Sequence, residues 1–470
     1  MHAAELIIAT VDKLRSPRLA RALDTYMLIR TSALRTSLRR LSTYHGSASA
    51  GRHQTPIVDS LWRKRIEIKE RQEAVVDESP GKRTLVEKAP ADSANSLTYH
   101  FSTDLELADT YRNPWGHVRV GRLLEDLDAL AGTIAFEHCR QPGEEDLLLV
   151  TASVDRIVYR HRPNLLDDIA LDGRVTWVGR SSMEIGMRAT ATWTNEPFLE
   201  ASFTFVARDR ATNKSASINP LRVAPGAEAA AFELGRQRDE ARKALRAALK
   251  RSPYGHSLDE ETTAFAHELL GKSKPLLVMP SLADPSEILM SETQLENALI
   301  AQPQQRNTAG RVFGGFLMRR AYELAHSTAY LFAGRRPVFL ELDEVTFRSP
   351  VSVGDLLRFE SCVLYTSEAM DLAGRVTVHV EVRAQVMRPE ARSAVTSNTF
   401  NFTFGVTANA DGSGRAALSQ AVSGGGGVEL RRVLPATHEE AYRIMERYTA
   451  DLAQRAEDMR AQRPPAEEAD

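Results

Sequence analysis

Thiols are nearly missing from this chain. Cys139 and Cys362 are the only cysteines in 470 residues. Neither has a second thiol or a histidine at metal-ligand spacing, so no disulfide framework and no metal site is expected, and a reducing compartment fits. Long apolar runs are missing too. No run approaches the roughly 18 residues that a membrane helix needs, and candidates such as Leu147 to Val150 are strand-sized, so no membrane span is expected. A dominant charge is also lacking: 60 basic residues face 62 acidic ones, which gives no basic face for nucleic acid and predicts no such partner. Acids are locally absent between Thr25 and Val58, where Arg30, Arg35, Arg39, Arg40 and Arg52 alternate with Ser, Thr and Leu. That composition predicts a mitochondrial transit peptide over residues 1–58, removed near Arg39 to Tyr44, and a mitochondrial matrix location. Glu5, Asp12 and Asp24 run against the pattern, and a disordered extension is the alternative.

The length, with 43% hydrophobic residues, suits two cores, and an internal repeat supplies them. Asn113-Pro-Trp-Gly116-His-Val118-Arg-Val-Gly121 recurs as Asn307-Thr-Ala-Gly310-Arg-Val312-Phe-Gly314-Gly315. Asp155 in an apolar strand has a counterpart in Asp343, and Ser202-Phe-Thr-Phe205 one in Asn401-Phe-Thr-Phe404. After Gly121 the residues Leu123, Leu124, Leu127, Leu130, Ala131 and Ile134 keep helical spacing; after Gly315 so do Leu317, Ala321, Leu324, Ala325, Thr328, Leu331 and Phe332, with Gly334 as a stop. Strand-like alternation follows each helix, as in Arg375 to Arg383, where apolar and charged sides should separate. The economical fold is α+β: one long helix packed on a mostly antiparallel sheet, made twice. The expected domains are 95–224 and 289–436, joined by a helical linker over 225–288 (Ala227 to Arg251 its clearest helix) and followed by a C-terminal helix and tail over 437–470. The run Gly424 to Gly427 lacks the Lys-Ser/Thr of a phosphate loop and reads as a flexible connection.

Chemistry concentrates at the helix starts. Gly314 and Gly315 lack Cβ atoms, so a carbonyl can approach the unpaired N–H groups of the first turn and hold a developing oxyanion there. Asp128, seven residues past Gly121, falls at the edge of the apolar stripe, while Glu125 is expected to face away. The second copy has Tyr322 in place of Asp128. If the helices meet across an approximate two-fold axis, Asp128 pairs with Asn307 and Tyr322 with Asn113, and only the first pair carries an acid. There Asp128 would activate water or attack an acyl carbon itself, with Asn307 orienting water or carbonyl.

The motifs Gly121-Arg-Leu-Leu-Glu-Asp-Leu-Asp128, Val312-Phe-Gly-Gly-Phe-Leu-Met-Arg-Arg-Ala-Tyr-Glu-Leu-Ala325 and Arg348-Ser-Pro-Val-Ser-Val-Gly-Asp355 resemble double-hotdog acyl-CoA thioesterases of the mitochondrial type-9 kind. The resemblance runs from about Ser96 to Tyr448. It implies two tandem hotdog folds packed as a pseudo-dimer, hydrolysis of fatty acyl-CoA without a cofactor, and further assembly into a homo-oligomer. It assigns the site to Asn307 and Asp128 and puts the turn Arg180-Ser181-Ser182 near the CoA entrance. The family's His-Gly-Gly is Phe313-Gly314-Gly315 here and Arg119-Val120-Gly121 in the first copy, so only the second helix start keeps both glycines. CoA is a polyanion, which makes Arg180, Arg311 and Arg348 candidates for its phosphates. Two other readings compete. Hotdog hydratase chemistry would use an Asp/His pair, here Asp109 and His117, and a non-catalytic CoA-binding protein would keep only a vestige of the site.

Overall fold

The computed structural model describes residues 55–73, 84–140, 147–165, 167–210, 212–251, 260–307, 310–343, 345–367, 374–407 and 430–461. The expected transit segment and the four-glycine run lie outside them, apart from residues 55–58.

In chain order the elements are α1 (Pro56–Glu73), β1 (Asn95–Tyr99), α2 (Leu105–Tyr111), α3 (Val120–Cys139), β2 (Leu148–Tyr159), β3 (Ile169–Val178), β4 (Ser182–Ala191), β5 (Glu196–Arg208), α4 (Ala227–Arg251) and α5 (Glu260–Val278). The second half continues with β6 (Glu287–Leu289), β7 (Leu295–Ile300), α6 (Gly314–Ala333), β8 (Val338–Leu342), β9 (Val345–Thr346), β10 (Leu356–Thr366), β11 (Arg375–Arg388), β12 (Ser393–Thr407), β13 (Arg432–Leu434) and α7 (His438–Ala461). The main sheet runs β1-β3-β4-β5-β2-β8-β12-β11-β10-β7. Its first five strands and its last five have mirrored order, so β1 corresponds to β7, β3 to β10, β4 to β11, β5 to β12 and β2 to β8. The halves join where β2 and β8 pair antiparallel, Ile157 opposite Leu342 and Val158 opposite Glu341. Each half is a long helix packed on a curved antiparallel sheet, and the chain is a tandem hotdog.

The loops before the helices are duplicated down to their hydrogen bonds. Asn113 N–H donates to the His117 carbonyl at 2.8 Å and Gly116 N–H to the Asn113 carbonyl at 3.1 Å; Asn307 N–H donates to the Arg311 carbonyl at 2.6 Å and Gly310 N–H to the Asn307 carbonyl at 3.0 Å. Gly116 (φ 77°) and Gly310 (φ 81°) both sit in the left-handed region, which glycine enters without a Cβ penalty. Each Asn side-chain oxygen accepts the N–H four residues on, from His117 at 3.0 Å and from Arg311 at 3.1 Å.

The trailing helices extend the duplication further than the sequence reading carried it. Arg238 and Arg242 of α4 pair with Glu184 at 2.8 Å and Asp155 at 2.6 Å on the back of the first sheet. Arg443 and Arg447 of α7 pair with Glu381 and Asp343 on the back of the second. The Arg-x-x-x-Arg spacing is the same, and it places both arginines on one helical face. Covered by α7, β11 does not split into an apolar and a solvated side. His379 and Glu381 are buried on its outer face, paired with Asp451 and Arg443, as charges taken out of water must be.

The two central helices differ in burial. α6 keeps an exposed flank at Tyr330 and Leu331, whereas α3 is buried almost all round. Two neighbours enclose α3: α6 and the N-terminal helix α1. Glu125, expected to face away from the apolar stripe, is not on a solvent side. It is 2% exposed and pairs with Arg319 of α6 at 3.1 Å and with Arg122 at 3.2 Å. The wheel identifies the stripe toward the sheet, but a second helix claims the opposite side.

Candidate active site

The crossing of α3 and α6 builds the site. A Cβ on Gly315 would stand 2.8 Å from the Glu125 Cα, and one on Gly121 would stand 3.0 Å from the Arg319 Cγ and 3.4 Å from the Tyr322 Cδ1. Glycines at both helix starts therefore let the helices close, and each start is pressed against the middle of the other helix.

At one crossing this contact is chemical. The Gly315 N–H donates to Asp128 Oδ2 at 2.7 Å, and the Thr151 hydroxyl of β2 donates to Asp128 Oδ1 at 3.0 Å. Asp128 is 3% exposed. Burial pushes its carboxyl up to about 6, against the opposing pull of the Gly315 amide, the Thr151 hydroxyl and the Arg65 charge. A carboxylate held near neutrality suits a general base.

A cavity of about 320 Å³ opens beside it, lined by Asp128, Thr151, Asn307, Gly314, Arg311 and Arg348 among others. The structure thus brings together five of the residues singled out in the sequence: Asp128, Asn307, Gly314, Arg311 and Arg348. The Gly315 amide, expected to meet substrate, is taken by the Asp128 carboxylate, because an anion facing a helix start finds the strongest donors there. Gly314, at the first turn of α6, and Asn307 both line the cavity. The Asn307 side-chain oxygen accepts from Arg311 N–H at 3.1 Å, which fixes the side chain in its loop. Arg180, Ser181 and Ser182 form the β3–β4 turn; Ser181 O accepts from Ala207 N–H beside β5, and none of the three lines the cavity. Asn113 lies at the other crossing. The residues that sequence reasoning missed are Thr151, Phe347, Arg208 and, from α1, Trp62 and Arg65, all of which line the cavity. Thr151 stands four residues before Asp155 on the same strand, a usable but overlooked signal.

The hydratase pair fails on geometry, since the Asp109 side chain is 81% exposed on α2 and pairs with Arg112. Among the described residues no group of three or more His, Cys, Asp or Glu could hold a metal ion, and no helix is long and apolar enough to cross a membrane.

Two tandem hotdog folds with one carboxylate at a glycine-opened helix start define a thioesterase-type protein, and the comparisons agree. The chain is 44% identical over 409 residues to acyl-coenzyme A thioesterase 4, mitochondrial, of Humulus lupulus, covering 85% of this chain and 74% of that one. It is 33% identical over 359 residues to acyl-coenzyme A thioesterase 9, mitochondrial, of Mus musculus, covering 74% and 79%. Among solved structures, an apo-hexameric acyl-CoA thioesterase aligns with 35% of this chain and 99% of its own at 26% identity and a TM-score of 0.30. No family model matches the chain. The chain belongs to the acyl-CoA thioesterases, and its activity is hydrolysis of acyl-CoA thioesters.

Proposed function

We propose that hydrolysis takes place at one composite site, with Asp128 from the first repeat as general base and the Gly314 amide and Asn307 side chain from the second as carbonyl donors. Asp128 removes a proton from water as the water oxygen attacks the acyl carbon. The C–S bond then breaks, and the same carboxyl returns the proton to the CoA thiolate. The observation that carries this is the buried Asp128 carboxylate bonded across the repeat interface to Gly315 N–H at 2.7 Å. Both carboxylate oxygens have a donor, and each keeps a second lone pair that can take the proton from water. Arg311 and Arg348, on the cavity rim with Asn307, suit the phosphates of CoA. Arg180, Ser181 and Ser182 would meet CoA only beyond the cavity, across the end of β5.

Base assistance and an oxyanion donor typically supply about 10² to 10⁴ and about 10² to 10³ in rate, enough together for a working hydrolase. No resident cofactor or metal enters the mechanism; CoA is part of the substrate. The mitochondrial names of several relatives and the acid-free, arginine-rich stretch from Thr25 to Val58 support a mitochondrial location, within which we place the protein in the matrix, and the family resemblance points to a homo-oligomer.

The test is thiol release over straight-chain acyl-CoAs of graded length, run beside an enoyl-CoA. Hydrolysis should release free thiol; loss of the enoyl absorbance with no thiol released would mark hydration instead. A single turnover in ¹⁸O-water should label the fatty acid alone; label in Asp128 would replace the base with the nucleophile.

A further inference from the structure

One wall of the cavity comes from outside both repeats. Thr55 starts α1: its hydroxyl oxygen accepts from Val58 N–H at 3.1 Å and its O–H donates to Asp126 on α3, two residues before Asp128. The same Asp126 carboxylate accepts from Tyr99 at 2.8 Å and Tyr111 at 2.5 Å. Val58, Leu61 and Trp62, at the i, i+3, i+4 positions that share a helix face, are all buried. Helix α1 is therefore fastened to the catalytic helix by a buried hydrogen-bond cluster and an apolar stripe.

Trp62 stands edge-on to Phe313 with ring centroids 5.2 Å apart, just before the Gly314–Gly315 turn. One turn further on, the Arg65 guanidinium lies over the Phe136 ring, 5.2 Å from its centroid. Beneath them, α3 presents only Ala129 and Gly132 to the cavity beyond Asp128. A Cβ at Gly132 would come within 3.4 Å of Arg65 Nη1 and 3.8 Å of the Phe205 ring. Small residues on α3 thus leave a channel running along the helix from the carboxylate, and α1 roofs it.

Resting on the thioesterase reading above, we propose that α1 is the acyl-chain gauge of the site, with Trp62 and Arg65 walling the space that receives the acyl group. CoA phosphates are drawn to Arg311 and Arg348, which line the cavity together with Asn307 on the second repeat's side. The acyl chain is left the side walled by Trp62, Ala129, Gly132 and Phe205. There the Arg65 head is occupied by the face of Phe136, so it acts as a stop more than as an anion site. One methylene more or less in an apolar pocket changes discrimination by about 10- to 200-fold, so small changes in this roof are readable.

The experiment compares kcat/KM over saturated acyl-CoAs from two to sixteen carbons for the wild type, Trp62→Ala, Trp62→Leu and Gly132→Ala, with folding checked by circular dichroism. Both Trp62 variants should move the optimum to longer chains and raise the long-to-short ratio by about tenfold or more. Gly132→Ala, which narrows the channel from the other side, should move it to shorter chains; its added methyl would meet Arg65 Nη1 at 3.4 Å and the Phe205 ring at 3.8 Å, ordinary van der Waals contact, so it keeps the test alive if the tryptophan variants unfold. An unchanged optimum in the folded variants, with the wild type active, would overturn the gauge and leave the thioesterase site standing. A wild type that hydrolyses no acyl-CoA would overturn both.

Discussion

The two helix crossings share one backbone and differ in what they can do. At the first, Asp128 meets the Gly314–Gly315 start of α6; at the second, its counterpart Tyr322 meets Val120 and Gly121 at the start of α3. Tyr322 is packed among Phe339, Phe402 and Phe404 at ring centroids of 5.4, 6.0 and 6.2 Å, and Trp115 from the Asn113 loop covers His326 at 5.7 Å. Burial holds the His326 ring down to about 4, so it is neutral packing at ordinary pH. The loops, with Asn113 and Asn307, are alike. On the one-site proposal, the second crossing differs through a few side chains, the acid and the first glycine, while keeping its scaffold. Gly314 shows why: a Cβ there would lie 3.0 Å from Asp128 Oδ2 and 3.3 Å from the Phe347 ring. Where no carboxylate must be accommodated, Val120 is tolerated.

The sharpest way to break this contrast is to remove the acid. Asp128→Asn should lower kcat/KM by about 10² to 10⁴, measured by thiol release; a loss under threefold would move the base elsewhere. Next, giving the productive crossing its counterpart's residue, Gly314→Val, should cost about 10²-fold in kcat, while the reciprocal Val120→Gly should leave the rate near the wild type. Equal effects from the two exchanges would erase the asymmetry. Thr151→Ala removes a donor that favours the charged form of Asp128, so its pKa must rise from about 6. The acid limb of the pH–rate profile should move to higher pH, with a loss of about tenfold at neutral pH; an unmoved limb would show that another group titrates.

The smallest effect is on stability. The Asp128 carboxyl, near 6 in the folded protein against 3.8 for the free group, gives stability that is fully present below 3.8 and lost as pH rises through about 6. Asp128→Asn does not titrate, so its Tm should exceed the wild type's most at pH 8, with the difference shrinking on descent through pH 6. A difference independent of pH would contradict the assignment.

Much of the site was legible because duplication supplies an internal alignment: Asn307, the glycine pair and the lone Asp128 stand out once the copies are superposed. What escaped depends on long-range packing. Thr151 reaches Asp128 only because β2 lies beside α3. Glu125 is buried because a second helix occupies what looked like a solvent side. Helix α1 reads as a charged surface segment, Arg-Lys-Arg-Ile-Glu-Ile-Lys-Glu after Trp62, with an apolar stripe too short to announce a wall of the active site. The trailing helices α4 and α7 read as linker and tail because their Arg-x-x-x-Arg spacing is ordinary on a solvated helix; its meaning appears only with Asp155 and Asp343 beneath.

The count of ligands per chain tests the one-site account most directly. Calorimetric titration of Asp128→Asn with a non-hydrolysable acyl-CoA thioether should saturate at one molecule per chain, and a further Arg311→Ala change should weaken that binding. Two equivalent molecules per chain would show that the Tyr322 crossing also holds substrate, and the asymmetry drawn between the crossings would be wrong.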